Sequence, residues 1–104
     1  MIVFNVEKVL ENIKGFEWNK GNIDKNWEKH KVTNKEAEEV FFNVPLIFFK
    51  DEKHSVKEKR YGVFGLTNNK RLLTLFFTVR KNKIRIISAR PMSRKERKDY
   101  EKKT

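Results

Sequence analysis

The feature that most constrains the fold is a series of apolar runs joined by very short connections. Arg60 to Leu66, Arg71 to Arg80 and Lys83 to Arg90 are rich in β-branched and aromatic residues, a composition typical of strands. The pairs Asn68-Asn69 and Lys81-Asn82 stand at the turns, and Asn tolerates the left-handed backbone that tight turns require. These runs predict successive antiparallel strands joined as a meander.

Helical patterns lie on both sides of these strands. Thr33 with Glu36, and Ser93 with Glu96, have the spacing of a capping box and predict two helix starts. The first of these helices must end before Pro45, and the short apolar run 46–49 that follows predicts a further strand.

Weaker helical spacing occurs over residues 1–14 and 23–30, with Ile23 and Trp27 four positions apart. The predicted fold class is α+β: N-terminal helices, an antiparallel meander of three to four strands and a C-terminal helix. The chain reads as one compact domain, 1–104, in which the helices cover one sheet face and the other face stays open.

The charge of the chain points to a polyanionic partner. Twenty-five Lys and Arg against fourteen Asp and Glu give a formal net charge of +11, and there is no cysteine. Disulfides, thiolate nucleophiles and cysteine-ligated metals are therefore excluded. No run approaches the roughly 20 apolar residues that span a membrane, and no cleavable signal is visible, so a cytoplasmic protein without a membrane partner is expected. Nucleic acid is the leading partner class.

Arg80 and Arg90 are the first candidates for function because each ends a predicted strand. The two strands are hairpin partners, which predicts that the two side chains lie together. Arginine suits phosphate because its planar fork donates two parallel bonds. In strand 72–80, Arg80 shares a face with three polar or aromatic positions and lies opposite the continuous apolar face. For Arg85 and Arg90 the alternation is ambiguous. Solvated strand-end charges are the alternative interpretation.

Proton transfer has three candidates. Lys29 and His30 form a pair suited to phosphate binding and acid–base work, although cations at a helix C-terminus are also favoured by the helix dipole. Glu58 stands just ahead of Arg60, which begins a predicted strand, and this carboxylate is a second candidate base or one half of a surface ion pair.

The C-terminal helix is basic, but its acidic residues alternate with cations such as Arg94 and Arg97. This mixture predicts a solvated face with weak affinity for nucleic acid. Two histidines 24 positions apart, without a nearby carboxylate pattern, predict no metal site. No cofactor is expected.

An ordered series of motifs resembles the BrnT-like toxins of bacterial type II toxin–antitoxin systems. The matching pieces run from Phe16 to Glu101 and cover about four-fifths of the chain. They are FEWN at 16–19, Asn26 with the KH pair at 29–30, the Val32 to Phe41 stretch, KEKRYGVFG at 57–65, RLLTLFFTVR at 71–80, IRIISAR at 84–90 and SRKERKDYE at 93–101.

The resemblance implies a compact RelE-like fold and metal-independent cleavage of RNA. It also implies inhibition by a BrnA-like antitoxin carrying a ribbon-helix-helix domain, with operator DNA bound only through the toxin–antitoxin complex, which represses its own operon. Carried over by motif, the catalytic residues are Lys29, His30, Glu58, Arg80 and Arg90, and RNA binding is expected of Arg60, Arg85, Arg94 and Arg97.

The sequence departs from the family pattern at two positions. Asn19 stands where Asp is usual, and Lys31 stands where Gly usually follows the KH pair, which predicts a different turn after that helix. Residues 1–15 are longer than the usual lead-in and are expected to be an atypical extension. The alternative function is a non-catalytic basic module that binds nucleic acid.

Overall fold

The secondary structure of the chain is mixed, as predicted. The computed structural model describes residues 10–54 and 57–104. Its elements are β1 (Gly15–Phe16), α1 (Lys25–His30), α2 (Asn34–Val40), β2 (Ile47–Lys50), a short 3-10 helix (Glu52–His54), β3 (Tyr61–Leu66), β4 (Leu72–Arg80), β5 (Lys83–Pro91) and α3 (Arg94–Lys103). The α+β class and the C-terminal helix are confirmed.

One sheet carries all of the described strands, in the order β1-β5-β4-β3-β2. Strands β2 to β5 form an antiparallel meander in chain order, as predicted. The predicted total of three to four strands is wrong, because β1 pairs in parallel with the start of β5 and makes a fifth. A strand of two residues shows no periodicity that sequence reasoning can detect.

The two predicted hairpin turns differ in outcome. Lys81 and Asn82 both have positive φ, at 50° and 63°, which is the backbone of a two-residue turn that matches strand twist. Between β3 and β4 the left-handed residue is Lys70, with φ 63°. Thr67 and Arg71 pair around a three-residue loop, with the Thr67 N–H donating to the Arg71 carbonyl at 3.0 Å. The Asn68-Asn69 turn prediction is therefore one residue too short.

The main core lies between the sheet and the helices that precede it. Leu73, Leu75 and Phe77 of β4 are fully buried and pack in one cluster with Ala37 and Val40 of α2. These three strand residues are the apolar face predicted from alternation, so the parity of β4 is confirmed.

The ambiguous parity of β5 has a structural cause. Phe76 pairs with Ser88 and Phe77 with Ile86, so the register shifts by one residue and Ile87 is the extra residue of a β-bulge. Ile86 and Ala89 consequently share the buried face, although three positions separate them. No regular alternation fits such a strand.

The second face of the sheet is covered at one end, which differs from the prediction of a fully open face. Tyr100 of α3 and Met92 pack against Ile47 and Phe64, which alternate with the residues of the main core. The Tyr100 hydroxyl also donates to the Pro45 carbonyl at 2.6 Å. Helix α3 thus closes part of this face, and the rest, around Phe76, stays partly accessible.

Helix α1 and the turn before it lie along the edge of β5 beyond the short β1. The buried Asn22 donates its amide to the Ile86 carbonyl at 3.1 Å, and the buried Asn26 accepts from the Ala89 N–H at 2.9 Å. These side chains satisfy backbone groups that an edge strand would leave open.

The N-terminal predictions are partly wrong. The helix predicted over 23–30 begins only at Lys25, and Ile23 and Trp27 are both about half exposed. Of the helix predicted over 1–14, residues 1–9 lie outside the described part, and residues 11–12 form a turn. Leu10 and Ile13 pack against the main core, so the end of the predicted extension belongs to the folded unit.

Candidate functional site

Four arginines share the second sheet face, and each one is held by a carboxylate. Arg60, Arg80, Arg85 and Arg90 pair with Asp51, Glu58, Glu17 and Glu96 respectively, at 2.7 to 3.4 Å. Arg90 pairs with Thr74 and Arg85 with Thr78 of β4, on the side away from the main core. Alternation places Arg80 of β4, and Arg60 just before β3, on the same side. The arrangement fixes several guanidinium groups on one surface.

One end of this surface is a charge network at the β4–β5 turn. Arg80 Nε and Nη2 donate to the two carboxylate oxygens of Glu58 at 2.7 and 2.9 Å. Arg85 Nη1 donates to Glu17 Oε1 at 2.9 Å, and Arg80 Nη1 lies 3.9 Å from the same oxygen. The side chain of Arg80 is 46% exposed and that of Arg85 only 13%, so Arg80 is the cation a solvent-borne anion can reach.

The hydrogen bond from Arg80 is the main cause that lowers the pKa of Glu58 below its ordinary value, with smaller help from the charges of Arg80 and Arg85. The same hydrogen bond raises the pKa of Arg80. At neutral pH both groups are therefore fully charged. A phosphate that binds Arg80 has to compete with Glu58.

The centre of the surface is the ring of Phe76 between two guanidinium groups. The Cζ atoms of Arg60 and Arg90 lie 5.7 and 5.9 Å from the ring centroid. Both distances are within the range of cation–π attraction. Phe76 thereby orients two cations that the sequence analysis had treated separately.

Glu96 links side chains and backbone at the other end of the surface. It accepts two bonds from Arg90, at 2.7 and 2.9 Å, one from the Thr74 hydroxyl at 3.0 Å and one from the Ser93 N–H at 2.8 Å. Burial raises the pKa of Glu96, but the bonds from Arg90 and Ser93 and the charge of Arg90 outweigh it and hold the pKa at about 2.

Arg80 and Arg90 do not lie together, and that prediction is wrong. Arg80 pairs with Lys83 beside the turn, whereas Arg90 pairs with Thr74 near the start of β4. Thr74 and Arg80 are six positions apart in β4, which corresponds to roughly 20 Å. Each arginine is the last strand residue before a turn or proline, and consecutive antiparallel strands run in opposite directions. The two arginines therefore lie at opposite ends of the hairpin.

Lys29 and His30 lie at the end of the sheet that carries Arg90. They close α1, and the His30 carbonyl accepts a bond from Arg71 Nη2 at 3.3 Å. Arg71 directly precedes β4, so the pair is remote from Arg80 at the other end of that strand. Glu58 is the candidate for proton transfer that contacts Arg80.

Arg94 and Arg97 are exposed on α3. Within residues 10–54 and 57–104, neither has a side-chain hydrogen bond or an ion pair. They are free cations beside the surface.

Three carboxylates of this surface had no predicted role there, and one of them, Asp51, was not singled out at all. Glu17 was quoted within FEWN without a role, and Glu96 was identified only as a capping residue. The capping-box spacing is a local signal. The arginine partners of Glu17 and Glu96 instead lie on β5, and Arg85 is 68 positions away from Glu17. Among the described residues, no group of three or more His, Asp or Glu side chains could hold a metal ion. The expectation that no metal takes part stays a prediction.

A comparison with protein-family models gives one match that decides the family. Residues 18–96 match the model of the ribonuclease toxin BrnT of type II toxin–antitoxin systems. The chain belongs to the BrnT toxin family. The matched stretch contains all of the predicted site residues except Arg97.

Membership of the BrnT family indicates a ribonuclease toxin that acts on RNA and is restrained by an antitoxin. A comparison with curated protein sequences found no match. None of the helices in the described part of the chain is long and apolar enough to cross a membrane. The likeness to RelE-type toxins stays a prediction.

At Lys31 and Asn19, where the sequence departs from the BrnT pattern, the local conformation is one that the usual residues, Gly and Asp, also favour. Lys31 has φ 55° and ψ 40°, the left-handed conformation in which glycine is common. The expectation that the turn differs from that of the family stays a prediction. Asn19 Oδ1 accepts from the Gly21 N–H at 2.9 Å, a role that an aspartate oxygen also fills.

Proposed function

We propose that this chain is the toxin of a type II toxin–antitoxin system and cleaves RNA in the cytoplasm without a metal ion. The observation that carries the proposal is the set of four arginines on one sheet face, each oriented by its own carboxylate. Positioned donors of this kind stabilise the charge that develops on phosphoryl oxygens during cleavage.

The reaction proposed is attack of a ribose 2′-oxygen on the adjacent phosphorus. The bond from phosphorus to the 5′-oxygen breaks, leaving a 2′,3′-cyclic phosphate and a 5′-hydroxyl. A base removes the 2′-hydroxyl proton, and an acid protonates the departing 5′-oxygen. Arg80 and Arg90 are assigned to the phosphate groups, at two ends of the bound strand.

Glu58 is the proposed base at Arg80. Its hydrogen bonds with Arg80 keep its pKa low in the free protein. When a phosphate takes over the guanidinium, Glu58 loses those bonds, so its affinity for a proton rises at the moment a base is needed. Lys29 and His30 remain the proposed groups for proton transfer at the Arg90 end.

The antitoxin proposed is a BrnA-like protein with a ribbon-helix-helix domain. The support for it is membership of the BrnT family, which implies an antitoxin. Through that partner the complex would bind operator DNA and repress its own operon.

The test is cleavage of a defined RNA by purified variants in the presence of EDTA. Arg80→Ala should lower the cleavage rate by about 10²–10³, because it removes a donor aimed at the phosphate. Lys81→Ala, next to it in the turn and exposed, is the matched control and should retain cleavage. Thermal unfolding of each variant shows whether the fold is intact.

Arg90→Ala, Glu58→Gln and His30→Ala complete the series. The assignment would be overturned if each of the three single variants, Arg80→Ala, Arg90→Ala and His30→Ala, cleaved RNA at the wild-type rate. Binding of RNA by the wild type without any cleavage product would instead support the non-catalytic binding module.

A further inference from the structure

A cleft of about 490 Å³ opens between α3 and the segment that follows β2, beside the pairs Arg60–Asp51 and Arg90–Glu96. Its floor is made by the rings of Phe49, Phe64 and Phe76. Phe49 lies 4.9 Å from Phe64 and 6.0 Å from Phe76, centroid to centroid. Gly62 makes this floor possible, because a Cβ there would stand 2.2 Å from the Phe49 ring.

Two of the arginine–carboxylate pairs border the cleft. Asp51, which holds Arg60, and Glu96, which holds Arg90, both line it. Since both guanidinium groups also lie against Phe76, a phosphate attached to a group in the cleft would meet a cation on either side. An apolar floor between cations suits an aromatic ligand that carries an anion.

The rim of the cleft adds carboxylates that nothing else uses. Glu52 and Asp99 line it, and in the part of the chain that the structure describes neither side chain has a hydrogen bond or an ion pair. A carboxylate only accepts hydrogen bonds at neutral pH. A ligand group that pairs with it in place of water must therefore be a donor, and an amino group offers two N–H bonds.

We infer that this cleft binds one nucleobase of single-stranded RNA, and that it favours a base with an exocyclic amino group over uracil. This inference rests on the proposed action on RNA. It assigns a site to the base, whereas the arginines bind the phosphates. The rings of Phe49 and Phe76 contact the base, Arg60 and Arg90 bind its phosphates, and Glu52 and Asp99 accept from the amino group. Uracil presents a carbonyl oxygen where cytosine presents that amino group.

Binding of 2′-O-methyl oligonucleotides separates base recognition from cleavage, because they lack the attacking hydroxyl. The probes are fluorescein-labelled eight-residue oligomers of cytidine and of uridine, measured by anisotropy at pH 7.5 in 100 mM KCl. Because only cytosine donates a charge-assisted hydrogen bond to these carboxylates, the wild type should bind the cytidine oligomer about tenfold more tightly.

The double variant Glu52→Gln/Asp99→Asn should bring the ratio of the two affinities close to one, because a side-chain amide can pair with either base. The matched control is Glu28→Gln/Glu101→Gln, which removes two exposed carboxylates from α1 and α3. It should strengthen binding of both oligomers equally and keep the ratio, since loss of negative charge acts on any RNA.

Equal affinity of the wild type for both oligomers, or a ratio unchanged in Glu52→Gln/Asp99→Asn, would overturn the base pocket. Cleavage of unmodified RNA is assayed in parallel. Cleavage without a base preference would contradict the base pocket alone. Absence of both cleavage and binding would contradict the base pocket and the proposed function together.

Discussion

At the scale of single residues, Glu96 is the carboxylate with the most partners on the candidate surface. It completes the capping box of α3 through Ser93 and also binds Arg90 and Thr74. One side chain therefore joins a helix start to two neighbouring strands. Glu36 likewise completes the capping box of α2, and it accepts from Arg71 Nη1, just before β4, at 3.2 Å.

The pKa of Glu96 predicts a pH-dependent contribution to stability. A carboxylate whose pKa is lowered from about 4.5 to about 2 stabilises the fold above pH 5 and loses that effect as the pH falls towards 2. We expect Glu96→Gln to lower the unfolding free energy at pH 7 by about 2 kcal/mol, a value reduced for solvent screening. The difference from the wild type should shrink towards zero at pH 3 to 2, measured by urea unfolding.

Glutamine can still occupy the capping position, so this substitution removes the charge and keeps the helix start. Glu101→Gln, an exposed carboxylate on the same helix, controls for the loss of one negative charge. A difference for Glu96→Gln that does not change with pH would contradict the assignment.

Residue-level prediction succeeded where a signal is local. Both capping boxes form as their spacing predicts, because the partners are only three positions apart. The pairing of Arg90 with Glu96 is six positions apart but depends on where α3 turns after β5, and sequence spacing does not contain that angle. The contact of Glu17 with Arg85 requires the parallel strand β1, which has no sequence pattern.

At the scale of elements, the C-terminal end of α1 is made by a residue that is unfavourable there. Lys31 is left-handed, and its N–H donates to the Trp27 carbonyl at 3.0 Å. Its ammonium group lies 5.1 Å from the Trp27 ring centroid, which offsets part of the backbone cost.

Lys31→Gly should stabilise the protein by about 0.5–1 kcal/mol. The left-handed backbone costs an L-residue about 1–2 kcal/mol, and the lost contact with Trp27 subtracts from the gain. Lys70→Gly, at another left-handed lysine, should also stabilise, whereas Lys29→Gly inside the helix should destabilise by about 1 kcal/mol. Urea unfolding at pH 7 measures all three, and destabilisation by Lys31→Gly equal to that by Lys29→Gly would refute the expectation.

The strands show why element order was easier to predict than geometry. The meander followed from three apolar runs and short turns, which are contiguous in the sequence. The face of Arg90 was not predictable, because the bulge at Ile87 reverses the alternation midway along β5. The separation of Arg80 from Arg90 did follow from strand direction, and the prediction failed because it considered only that each arginine ends a strand.

At the scale of the whole molecule, the formal charge of +11 comes from Lys and Arg other than the four paired arginines, because each of those four is balanced by a carboxylate. Each phosphate that a cation neutralises releases counterions, with a slope of about −0.7 per contact for single strands. If all four arginines contact phosphates, the logarithm of affinity should fall with the logarithm of salt concentration at a slope of about −3.

Arg80→Ala should reduce the size of that slope by about 0.7, because one phosphate contact is lost. Anisotropy with a 2′-O-methyl oligomer between 50 and 300 mM KCl measures it. Lys35→Ala, an exposed lysine on α2, is the control and should leave the slope unchanged. Equal reductions for Arg80→Ala and Lys35→Ala would mean that the sheet face is not where RNA binds.

The distance between Arg80 and Arg90 also sets a minimum footprint for a ligand that touches both. With Thr74 beside Arg90, the two arginines are separated by six positions of β4, or roughly 20 Å. A stacked strand advances about 3.4 Å per nucleotide, so about six nucleotides are needed to bridge them. Mononucleotides and dinucleotides can occupy one end only, and affinity should rise steeply once an oligomer is long enough to engage both.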